Sequence, residues 1–180
     1  MGKHRLKMQK QKDHIPELLA PAGTPEALDA AIEAGADAVY FGAGDFNARM
    51  RAKNFTGGEL ASALRRCAEY GVRTYVTVNT RLRDSELSAA AALVRGLYTE
   101  GATAFIVADP GLASALKSAY PDIELHASTQ MSGHSASDAE EFRRLGFSRM
   151  VCPREMSLDE IRELCSSSPI EIEMFVHGAH

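Results

Sequence analysis

The chain is poor in cysteine: Cys67, Cys152 and Cys165 are the only three in 180 residues. Their spacing forms neither a disulfide framework nor a zinc site, and a reducing cytoplasm is the natural compartment. No apolar run approaches the length of a membrane span, so no membrane partner is expected. The opening "MGKHRLKMQKQKDH" lacks an apolar segment and a cleavage site, which excludes a secretory signal. No G-x-S-x-G elbow is present, so a serine hydrolase of that type is not readable. No H-x-E or H-x-x-x-H pair marks a metal site. A net charge of −4 gives no general polyanion-binding signal.

What is present is an ordinary globular composition, 45% hydrophobic and 24% charged, which argues against a disordered chain. Residues 1–14 read as a basic flexible tail. Its Lys3, Arg5, Lys7, Lys10 and Lys12 would each be able to meet an RNA phosphate, or would simply be solvated. Residues 15–180 read as one domain built from alternating units. Short apolar runs recur: "ELLAPAG", "ADAVYFG", "RTYVTVNT", "TAFIVAD", "IELHASTQ", "SRMVCP" and "IEIEMFVHG". Amphipathic stretches lie between them. "TPEALDAAIEAG" has Thr24 as N-cap and Pro25 at the first helical position. "SLDEIRELCSSS" offers Ser157 and Glu160 as a capping box. Gly35, Gly71 and Gly101 stand where helices should close.

Strands separated by helices predict a parallel sheet covered on both faces. Two architectures compete, a doubly wound open sheet and a (β/α)8 barrel of the TIM type. Polar residues recur at the ends of successive strands, as a barrel mouth requires, and no G-x-G-x-x-G opens the first helix. The expected fold is therefore an α/β barrel. It is incomplete, with about seven strands legible and a C-terminal part missing, the last strand running over Ile170–Val176.

Candidate site residues follow from these strand ends. The fifth strand sets His126, Ser128 and Gln130 on one alternating face, an acid/base group beside hydrogen-bonding groups. The seventh sets Glu173 and His177 together, with Glu173 deep enough to orient its neighbours or to pair with an arginine. Asn79 ends the third strand and suits an amide or carbonyl. Asp109 ends the fourth, where it either contacts substrate or caps the next helix. Arg154 and Glu155 follow the sixth strand and would clamp a carboxylate or phosphate, or pair with each other. The loop "GAGDFNARMRAKNF" is long, and its Asn47 and Arg49 suit an anionic group. Cys152 has no obvious base beside it.

The series "ELLAPAG", "GADAVYFG", "FNAR", "VTVNT", "LHASTQ" and "EIEMFVHGA", in that order, resembles peptidase family U32, the collagenase-like peptidases, over residues 15–180. In that family the last of these strands is followed by cysteines, four of which resemble iron–sulfur ligands. The resemblance thus implies an N-terminal portion of a longer protein. An iron–sulfur cluster is expected in the parent, and no cofactor or metal within these residues. It also implies two function classes. Some members are named peptidases. Others resemble oxygen-independent hydroxylases of ribosomal or transfer RNA bases, or of a quinone precursor, the RNA-directed ones with prephenate.

The expected function is accordingly part of an RNA base hydroxylase. The alternatives are a peptide hydrolase, with His126 or His177 as base and Cys152 or a metal completing the site, and a non-catalytic fragment. In the last, open barrel edges would bind a partner or another copy of the chain.

Overall fold

A computed structural model describes residues 15–48, 55 and 57–177. The basic tail, and Arg49, Arg51 and Lys53 of the long loop, lie outside the described residues. The strands are β1 (Leu19–Pro21), β2 (Ala38–Gly42), β3 (Arg73–Val78), β4 (Ala104–Val107), β5 (Glu124–Ala127), β6 (Arg149–Val151) and β7 (Glu171–Glu173). The intervening helices are α1 (Pro25–Glu33), α2 (Gly57–Tyr70), α3 (Asp84–Thr99), α4 (Pro110–Ala119), α5 (Ala136–Arg144) and α6 (Leu158–Ser167). All strands are parallel and paired in chain order.

Local chemistry sets the helix ends. Thr24 Oγ1 accepts from Ala27 N at 3.2 Å, with Pro25 just inside α1. Ser157 and Glu160 form the reciprocal capping box that opens α6. Gly35, Gly71 and Gly101 follow α1, α2 and α3 with φ of 83°, 69° and 100°, a region that disfavours a Cβ.

The two faces of the sheet have opposite chemistry. One alternating set faces the helices: Val39 and Phe41 of β2, Val76 and Val78 of β3, Phe105 and Val107 of β4, Leu125 of β5 and Met150 of β6. These residues share a single core with Leu28, Leu64, Val94, Leu116, Phe142 and Leu164 of the six helices. Burying each such side chain stabilises the fold by about 1.5–3 kcal/mol.

The other set lines the concave side. A small apolar cluster of Ala38, Tyr75, Ala104 and Ile106 sits there. Around it lies a layer of ions. Arg73 bonds Glu17 at 3.0 Å and grips both oxygens of Glu124 at 2.7 and 2.9 Å. Arg149 bonds Glu17 at 2.8 Å and Glu171 at 2.7 and 2.9 Å. Tyr75 is fully buried, donates to Glu17 at 2.7 Å, and has the Arg73 and Arg149 guanidinium carbons 5.1 and 5.3 Å from its ring centroid.

The ion layer also reports the curvature. Glu17 precedes β1, and Arg149 begins β6, five strand positions along the sheet. In a flat sheet that is roughly 24 Å, at about 4.8 Å per strand. A 2.8 Å contact between them requires a strongly curled sheet. The result is an incomplete (β/α) barrel. It is open, with β1 and β7 each paired on one side only among the described residues, and not the closed eight-stranded form.

The last strand is shorter than the Ile170–Val176 run expected. β6 ends at Val151, opposite Glu173, and the final rung is Cys152 N to Glu173 O at 2.8 Å. Past that point β7 has no ladder partner among the described residues, and Met174, Phe175 and Val176 are exposed.

Burial and pairing set the titration of the layer. Burial alone would raise the Glu17 carboxyl, but hydrogen bonds from Tyr75 and Arg149 outweigh it and hold the group below its ordinary range. The His126 contact, with Arg73 behind it, draws Glu124 down to about 2. Burial pushes His126 down, against the opposing pull of Glu124.

Two predictions follow from this layer. Arg149→Ala takes from Glu171 its arginine partner and from Glu17 one of its three donors among the described residues, and is expected to destabilise the chain by about 3 kcal/mol in urea unfolding. A change below about 1 kcal/mol would contradict the role assigned to the layer. The second concerns acid. His126, Glu17 and Glu124 all have folded-state values below their unfolded ones. Each therefore contributes stability that is present above the unfolded value and lost as pH falls through the folded one. Unfolding free energy should decline from about pH 6.5, the unfolded histidine value, and faster below about 4.3, where glutamates protonate. Exposed His134, drawn upward chiefly by the Ser132 carbonyl, and Glu173, raised by burial, act in the opposite sense. His126→Gln should then remove the upper part of the decline relative to the parent chain. Identical pH profiles for the two chains would contradict it.

Candidate functional site

Each inner-face strand that ends in a polar residue delivers it to the same opening. Asn79 follows β3, Ser128 follows β5, and Glu173 ends β7. Together with Thr77, Gln130 and Arg154 they line a cavity of ≈ 210 Å³ at the C-terminal ends of the strands. Its apolar walls include Pro21, Tyr40, Ile106, Val151 and Phe175. A concave, mostly apolar site with a few convergent polar groups is the usual form of a small-molecule or substrate site, and barrels carry theirs at this end.

The polar groups are held by one another. Asn79 Oδ1 accepts from Ala48 N at 2.9 Å, which pins the β2–α2 loop across the end of β3. Its Nδ2 donates to Ser128 Oγ at 3.3 Å. Ser128 Oγ also accepts from Gln130 N at 3.3 Å, the N-cap bond of a one-turn 3₁₀ helix over Thr129–Met131. The alternation expected from His126 through Gln130 therefore stops at Ser128. The cap turns the chain, and Gln130 reaches the cavity from the turn and not from the strand.

Asn79, Ser128, Gln130, Arg154 and Glu173 are thus brought together, and the other expected residues stand elsewhere. His126 is fully buried beneath the cavity, with Nε2 2.9 Å from Glu124 Oε1 and its ring 4.7 Å from that of Tyr75. His177 lies on the exposed turn after β7 and does not line the cavity. Asp109 caps α4, its Oδ1 accepting from Leu112 N at 2.9 Å and its Oδ2 from Leu82 N at 3.3 Å. Asn47 is buried in its loop, where Nδ2 donates to Gly44 O at 2.8 Å. Arg49 lies outside the described residues. Glu155 turns to His134 at 3.4 Å, while the Arg154 guanidinium lies 4.6 Å over the Phe175 ring.

Glu173 joins the cavity to the ion layer below. Arg149 Nη1 is 3.5 Å from its Oε2, an ion-pair contact without hydrogen-bond geometry. Burial raises its carboxyl above the ordinary range, and the charge of Arg149 only partly offsets this. Sequence reasoning offered an arginine partner for Glu173 but missed the rest of the ion layer and Phe175. Parity was the signal available: Arg73 and Tyr75 share a face with Asn79, and Phe175 with Glu173.

The cysteines do not furnish a cofactor site. Cys67 of α2 and Cys152 after β6 are buried in the sheet–helix core, and burial pushes both thiols up to about 11. Cys165 is exposed on α6. Among the described residues no group of three or more His, Cys, Asp or Glu is placed to hold a metal ion, so these residues do not fit an iron–sulfur cluster. No helix of the described residues is long and apolar enough to cross a membrane.

Similar proteins include several named for RNA hydroxylation and one named Collagenase, of Porphyromonas gingivalis (strain ATCC BAA-308 / W83), 34% identical over 175 residues and covering 91% of this chain and 42% of that protein. The chain is 40% identical over 166 residues to 23S rRNA 5-hydroxycytidine C2501 synthase of Escherichia coli (strain K12), covering 92% of this chain and 25% of that protein. It is 37% identical over 164 residues to tRNA hydroxylation protein P1 of Bacillus subtilis (strain 168), covering 91% of this chain and 39% of that one. The chain therefore spans well under half the length of these relatives. The solved structure of a U32 peptidase superposes with a TM-score of 0.71 over 96% of this chain and 73% of its own, at 13% identity, which shows a shared fold. The model of peptidase family U32 matches residues 23–180, and the chain belongs to that family.

Proposed function

We propose that this chain is the barrel portion of an enzyme that hydroxylates a base of ribosomal or transfer RNA. The observation that carries the reading is the 40% and 37% identity, over nine-tenths of the chain, to two proteins named for RNA hydroxylation. The site supports it. Apolar and aromatic walls with amide, hydroxyl and carboxyl groups suit a planar ring turned out of its stack. Arg154 at the rim suits a phosphate of the RNA or a carboxylate such as those of prephenate. In this reading Asn79, Ser128, Gln130 and Glu173 bind and orient the base. An iron–sulfur cluster in the whole protein would take its ligands from outside the described residues.

The hydrolase reading finds less support. A hydrolase needs a nucleophile beside a base, or a metal-bound water. Ser128 Oγ accepts from two amide N–H groups, and neither is a base. Cys152 is buried on the helix side with a raised thiol, and His126 is held by Glu124.

The test is the RNA of a strain lacking the gene, digested to nucleosides and weighed. A hydroxylated nucleoside should vanish and return when the gene is restored. With an Asn79→Ala allele it should return about tenfold less, the scale of one lost positioning contact. Unchanged RNA, together with peptide cleavage by the purified whole protein, would overturn the reading.

A further inference from the structure

The Glu173 carboxylate lines the cavity, and its oxygen nearer Arg149 has its acceptor capacity unmet. Glu173 Oε2 is buried and accepts no hydrogen bond among the described residues. Its neighbour Arg149 directs its donors to Glu17 and Glu171 instead. Asn79, Ser128 and Thr77, which share the cavity, all have partners. A buried acceptor without a donor is costly, and native proteins rarely keep one without a use. A ligand N–H entering the cavity meets a carboxylate for which no protein donor competes among the described residues.

The surroundings narrow the ligand. Phe175 lies two residues beyond Glu173 and forms part of the same cavity wall, with Tyr40 also lining it. The Asn79 and Gln130 amides supply donors for a ring carbonyl. The arrangement therefore suits a flat ring that carries an N–H beside a C=O, lying against an aromatic face.

We propose that Glu173 is a specificity-determining residue that accepts the N–H of a planar heterocycle whose ring lies against Phe175. The inference rests on the base-binding reading above and extends it to the edge that is read. A base blocked at that N–H is excluded twice, by the lost bond and by a methyl group pressed against a carboxylate.

The experiment titrates the 180-residue chain with uridine, and with uridine methylated at its ring N–H, followed by amide NMR. The parent chain should bind the methylated nucleoside at least about tenfold more weakly, the scale of one charge-assisted hydrogen bond. In Glu173→Ala the difference should disappear. Glu173→Gln keeps the shape and should narrow it, with a thermal melt confirming that the variant is folded. Equal binding of both nucleosides to the parent chain overturns the role of Glu173 and leaves the base-binding reading standing. Binding of neither overturns both.

Discussion

The bridge from Glu17 to Arg149 is the contact on which the rest of the architecture depends. It joins the approach to β1 with the start of β6 across the hollow of the sheet, 132 residues apart in sequence. Hydrophobic burial against the six helices would favour a layered sheet of almost any curvature. The concave face has little apolar surface to drive its own collapse, since among the described residues its apolar cluster is Ala38, Tyr75, Ala104 and Ile106, with Leu19 and Tyr40 partly buried against them. Opposite charges crossing the hollow supply the constraint that sets the curl. Tyr75 fills the space between the two arginines and ties its hydroxyl to the same glutamate.

The curl in turn makes the site. Because the sheet wraps, the ends of β1, β3, β5 and β7 converge, and Pro21, Asn79, Ser128 and Glu173 share one cavity. The interior is divided along its axis. One end holds the ion layer, which stabilises. The other holds the amides, hydroxyls, Arg154 and aromatic walls that line the cavity, the proposed binding site. Glu173 belongs to both, close enough to Arg149 for attraction and close enough to the cavity to meet a ligand. That division matches the usual separation of stability and function between the two ends of a barrel.

The fold was legible because apolar alternation and helix caps are local. Thr24, Ser157 and the closing glycines could be read from neighbouring residues alone. Parity along a strand also placed Asn79, Ser128 and Glu173 on the inner face. Direction along the barrel axis is not local. His126 shares that face, yet Glu124 two residues earlier draws its ring away from the mouth. Gln130 left the strand because Ser128 found a backbone partner that periodicity does not reveal. The ion layer was illegible because its partners are chosen across the sheet, and no spacing in the sequence pairs Glu17 with Arg149.

The most direct measurement is a double-mutant cycle between Glu17→Gln and Arg149→Met, read as unfolding free energies in urea. Five strand positions separate the two residues along the sheet, so they couple only if the sheet curls as described. A coupling energy of about 1 kcal/mol or more is predicted, lying within the range seen for residues in direct contact. Additive effects, within about 0.3 kcal/mol, would contradict the bridge and the curled architecture built on it.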